Sequence, residues 1–141
     1  MDTRAADKAA GTNLVKYIAL IAVIGILLLQ FTGSIPLSSV SGPMVIALAF
    51  FAGALAVGIH EAWTKKRGVI GWVVNIVVSF VGAFLIAPLG GMLIVIILSP
   101  FMDRASLAAT GGPVMFVALA GMMLVTLLGA WGALWIVNRW R

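Results

Sequence analysis

No cysteine occurs anywhere in the chain, and there are only one histidine and four acidic residues. The missing thiols exclude disulfide scaffolds, thiolate zinc sites, cysteine nucleophiles and dithiol relays. Charge is scarce altogether: Asp, Glu, Lys and Arg make up 9% of 141 residues, whereas a soluble domain carries about one quarter. A water-soluble fold with so few charges would lack the polar surface to cover itself. Also missing are a glycine-rich phosphate loop, a serine nucleophile motif and a paired carboxylate. The sequence therefore points to no enzyme, no cofactor and no metal. Seven methionines are present, but without cysteine or a histidine inside an apolar run they read as adaptable packing rather than soft-metal ligands.

What the chain has in quantity is apolar sequence, 63% of all positions. It is concentrated in four runs, residues 14–31, 44–62, 69–98 and 114–137. About 20 helical residues match a hydrocarbon core of about 30 Å, so each run is long enough to span a bilayer. Lipid offers no partner to backbone amides, and the runs lack the two-residue alternation of a barrel strand. The expected fold class is all-α, a bundle of four transmembrane helices forming a single domain over residues 14–141, preceded by a mobile tail, 1–13. Thr12 or Asn13 is placed to cap the first helix. Run 14–31 exceeds a usual signal core and no A-x-A pattern follows it, so it is expected to be retained.

Orientation follows from the basic residues. Arg4, Lys8 and Lys16 precede or open the first run, Lys65, Lys66 and Arg67 lie between the second and third, and Arg139 and Arg141 end the chain. Only Arg104, beside Asp103, falls in the remaining loops. The positive-inside bias then places both termini in the cytoplasm of a cell whose inner membrane holds the protein. Trp63, Trp72, Trp135 and Trp140 fall at the same boundary, where an amphipathic ring favours the headgroup level. These tryptophans with Lys65, Lys66, Arg67, Arg139 and Arg141 form the expected cytoplasmic anchor. The net charge of +5 is thereby assigned to lipid headgroups, and no nucleic acid is implied.

Within the runs, one pattern stands out. Gly71, Asn75, Ser79, Ala83, Ala87 and Gly91 recur every four residues, a ridge of small or short polar side chains that lets helix backbones approach closely. A similar row, Gly121, Val125, Gly129 and Ala133, lies on the fourth run, and Ala54 and Gly58 on the second. The third run is therefore expected to be the most protein-contacting helix, with Asn75 making an interhelical hydrogen bond. The first run, with Ile18, Ile21, Leu27 and Leu28, is expected to face lipid. Pro88 and Gly90 lie two-thirds along the third run and predict a kink there, with a helix ending near Ala87 as the alternative. His60 and Glu61 read as boundary residues, since the segment lacks the second histidine of a metalloprotease helix.

The functional expectation is a non-catalytic membrane protein, an accessory or scaffold subunit whose partners are the bilayer and other membrane proteins or copies of itself. The alternative is a small oligomeric pore or transporter. The topology is open to direct test: reporter fusions at residue 1 and residue 141 should both give cytoplasmic signals, and a periplasmic C-terminus would remove one of the four spans.

Overall fold

The computed structural model describes residues 3–36, 40–101 and 112–140, with side chains from Asn13 onward. The described chain is all-helical: α1 Thr3–Phe31, α2 Ser41–Thr64, α3 Val69–Leu98 followed by a 3₁₀ turn Ser99–Phe101, and α4 Gly112–Arg139. All four α-helices are long and apolar enough to cross a membrane. Asp103, Arg104 and Arg141 lie outside the described residues.

One boundary, the start of the first helix, differs markedly from the sequence expectation, and the third helix keeps its expected range. The first helix starts at Thr3, which places Thr12 and Asn13 inside it rather than at its cap. Ala5, Ala6, Lys8, Ala9 and Ala10 are strong helix formers, so the helical backbone extends through the polar segment. The third helix is continuous past Pro88, so the alternative of a helix ending near Ala87 is not what forms. Pro88 is exposed on that helix.

Both connections described at helix C-termini use the same device. After α1, Ser34 N donates to Leu29 O and Gly33 N to Gln30 O, with Gly33 at φ +66°. After α2, Arg67 N donates to Ala62 O and Lys66 N to Trp63 O, with Lys66 at φ +46°. These are Schellman closures, in which a left-handed residue satisfies the last carbonyls of the helix. Glycine adopts that conformation freely, and a lysine there costs about 1 kcal/mol. The tight second closure turns the chain straight into α3, whose first residue follows Gly68 in an extended conformation.

α3 and α4 share the most extensive interface, and α4 also packs against α1 and α2. Its central position corrects the expectation that the third run is the most protein-contacting. Leu119, Met123, Leu127, Ala130 and Leu134 of α4 supply more than half of the buried core cluster, joined by Ile26, Ala54, Val57 and Ala83. The physical reason lies on α3, whose small-residue stripe is narrow and whose remaining faces carry exposed Val77, Phe84, Leu85, Leu89, Leu93 and Ile97. α1 is peripheral. Ile26 is its one fully buried side chain among the described residues, Ile21 and Leu28 are exposed, and Ile18 and Leu27 pack partly against the core.

The closest backbone approach is between Gly82 of α3 and Gly129 of α4. A Cβ on Gly129 would sit 2.6 Å from Ile86 Cβ and 2.8 Å from the Gly82 carbonyl oxygen, and a Cβ on Gly82 would collide with Ala133 Cβ. Further along, Gly90 receives Val125 and Gly121 receives Ile94. Gly132, on another face of α4, has nothing within 4 Å of its Cβ position. Gly129→Ala is therefore expected to destabilise the fold in micelles by about 1–3 kcal/mol through overpacking. Gly132→Ala should instead be neutral or stabilising by about 0.5–1 kcal/mol, the ordinary helix gain of alanine over glycine. Equal unfolding midpoints for the two variants would remove this interface.

Candidate polar site at the helix ends

One end of the bundle gathers most of the described charged side chains. The site grows from the α2 closure described above: because Lys66 reverses the chain, Arg67 folds back over the end of α2 and reaches α4. Its Nη2 donates to Asn138 Oδ1 at 3.0 Å. The other half of the same amide, Asn138 Nδ2, donates to Glu61 Oε1 at 3.0 Å. Glu61 also accepts from Lys65 Nζ at 3.0 Å, one helical turn on. A single amide thus ties the α2 terminus, the hairpin loop and the last turn of α4 together. Its orientation is dictated, since a flipped amide would set its NH₂ against the guanidinium and its oxygen against the carboxylate.

These bonds differ in strength. The Lys65 contact is an exposed i,i+4 pair, with the lysine side chain 41% exposed, and contributes little. The Asn138 bonds are part-buried and charge-assisted on both sides, which makes them the stronger links. Arg67 Nε is buried with no hydrogen-bond partner among the described residues, so this guanidinium has no slack for losing Asn138 as well.

The aromatic residues surround this network. Trp63 and Trp72 lie on either side of the hairpin loop with ring centroids 6.4 Å apart. On α4, Arg139 stacks its guanidinium 5.4 Å from the Trp135 ring centroid. Glu61, Lys65, Trp131, Trp135, Asn138 and Arg139 enclose a pocket of about 250 Å³. Lys66 and Trp140 are exposed and are not part of its lining. Sequence reasoning read Glu61 only as a boundary residue and missed its bond to Asn138. The one available signal is that both are hydrogen-bonding residues at the same predicted membrane level.

The ridge on α3 is divided among different neighbours. Gly71 faces the Arg67 side chain, Asn75 and Ser79 meet Gly58 of α2, and a Cβ on Gly91 would lie 3.9 Å from Met122 Cε of α4. Ala83 is buried, 7% exposed, and with half-buried Ala87 lines a groove between α2 and α3. The row that meets α4 lies one residue back, at Gly82, Ile86 and Gly90. Gly90, expected as a kink residue, is the glycine into which Val125 fits.

Asn75 departs from expectation. It is 0% exposed, and neither amide atom has a hydrogen-bond partner among the described residues. Gly58 brings the α2 backbone against this part of α3. Ser79 and Thr126, the other buried polar residues, bond within their own helices, to Ile76 O at 2.9 Å and Met122 O at 2.7 Å. Such local bonds satisfy a hydroxyl without help from a neighbouring helix.

Asn138→Ala is expected to lower stability by about 1–3 kcal/mol, because it leaves a part-buried guanidinium and carboxylate without their interhelical partner. Combined with Glu61→Gln it should lose less than the two single losses added, whereas Lys65→Ala should cost less than about 0.5 kcal/mol. Thermal unfolding in one detergent measures all four; strict additivity would mean that the network is not a unit. No family model, curated protein or solved structure matches this chain, so its functional reading rests on these residues and their geometry.

Proposed function

We propose that this chain is a non-catalytic integral protein of a cell's inner membrane, with both termini in the cytoplasm, acting as an accessory or scaffold subunit that packs against other transmembrane helices. The observation that carries this reading is the groove of about 250 Å³ between α2 and α3. It is lined by Ala47, Ala54, Ala83 and Ala87, by Phe50, Phe51, Phe80 and Phe84, and by Thr126 of α4. Between transmembrane helices no hydrophobic driving force exists, so small residues that allow close approach and aromatic rings that supply contact area decide association. Phe51 and Phe80 already stack at 5.0 Å across the groove, which fixes the rim.

The orientation draws support from the gathering of Lys65, Arg67, Arg139, Trp63, Trp72 and Trp135 at one end of the bundle, the arrangement that the positive-inside bias and the aromatic belt favour at a cytoplasmic boundary. The second reading, a small oligomeric pore or transporter, draws on Asn75 as an interior amide. Asn75 is sealed against Gly58 rather than set in an open wall, which favours the scaffold.

Mild extraction of the tagged protein from its own membrane, followed by native mass determination, tests the proposal. A stoichiometric second subunit is expected, and Ala87→Leu, which narrows the groove, should release it while Ile21→Leu, on an exposed face of α1, should not. A discrete homo-oligomer without any other subunit would favour the pore. A monomer retaining only lipid would sink both.

A further inference from the structure

A second set of surfaces, on the opposite flank of α4 from α3, is built differently from the α2–α3 groove. Val57, Glu61 and Lys65 form one four-residue stripe on α2, and Leu124, Leu128, Trp131, Trp135 and Arg139 run along one side of α4. Toward the middle of the bundle these stripes, with Val15, Lys16 and Ala19 of α1, enclose an apolar groove of about 320 Å³. Toward the helix ends they enclose the polar pocket of about 250 Å³. Trp131 lines both, so the two are neighbours along α4, the apolar groove as the shaft and the polar pocket as the mouth of a slot. From Leu124 to Arg139 the slot follows about 22 Å of helix, the depth of one leaflet with its headgroups.

The charge at the mouth is positive. Lys65 and Arg139 stand there against one carboxylate, Glu61, which is already occupied by Lys65 and Asn138, and Lys16 adds a further cation on the wall of the apolar groove. Arg139 has no carboxylate partner among the described residues and rests on the face of Trp135. That leaves its planar set of N–H donors available to the mouth, and such a fork matches phosphate oxygens. We propose that this slot is a binding site for one anionic phospholipid, with an acyl chain along Ala19, Val57 and Leu128, and the phosphodiester at Arg139. The inference rests on the membrane reading given above. A zwitterionic lipid is disfavoured because the mouth offers no unpaired carboxylate to its ammonium group, and Arg139 already covers the Trp135 face.

The test uses the full chain in vesicles of phosphatidylcholine containing a minor share of phosphatidylglycerol. Flotation after an alkaline wash comes first, and failure to float would remove the membrane reading itself. Lipid retained on release from the vesicles is then counted by native mass spectrometry. One phosphatidylglycerol should be retained in preference to phosphatidylcholine, and Arg139→Gln should weaken that retention about tenfold, the loss expected for a charge-assisted bond. Arg139→Lys should recover part of it. Lys66→Gln, which removes the same charge from an exposed position outside the slot, should leave retention nearly unchanged. Equal retention of the two lipids, equal losses for Arg139→Gln and Lys66→Gln, or displacement of the lipid by inorganic phosphate at matched concentration would each overturn the site.

Discussion

Everything in this bundle depends on how closely the backbones of α3 and α4 can approach. Surrounded by lipid tails, helices gain little from burying apolar surface against one another, and association rests on van der Waals contact and the few polar bonds available. Gly82 and Gly129 allow that contact by presenting bare backbone to each other, and Gly90 and Gly121 accept Val125 and Ile94 further along. With α4 held there, α2 and α1 are left to pack on its remaining sides. Gly53 of α2 shows the same dependence, because it meets Leu127 and Met123 of α4 and Ala22 of α1 at one point.

The polar end is a second lock, and it follows from a backbone conformation rather than from a motif. A left-handed lysine, Lys66, makes the α2–α3 turn tight enough to carry Arg67 across to Asn138. The bonds that result are ordinary in chemistry but long in range, joining residues 71 and 77 positions apart. They add a polar constraint at the helix ends to the register that the glycine contacts between α3 and α4 already impose.

Two kinds of surface are left on the flanks. The α2–α3 side is small-residue and aromatic, suited to another helix; the α1–α4 side is apolar below and cationic above, suited to a lipid. Both are consequences of α4 taking the centre, since a central helix leaves clefts on each side where its neighbours diverge. The scaffold role proposed above would use both surfaces.

By itself the sequence determined the four apolar stretches that form bilayer-length helices among the described residues, because hydrophobic length is a property of consecutive residues and needs no knowledge of neighbours. It also displayed the small residues from which close packing is made. It left undecided which of two adjacent rows on α3 would face α4, since Ala83 with Ala87 and Gly82 with Gly90 differ by one position, about 100° of rotation. Only the tertiary structure assigned the Gly82 row to α4, where it meets the bare backbone of Gly129, and set Asn75 and Ser79 of the other row against Gly58 of α2. Likewise Glu61 and Asn138 carried no mark of partnership in the chain. Their bond exists because a turn and a helix packing, both decided elsewhere, bring two helix ends to the same place.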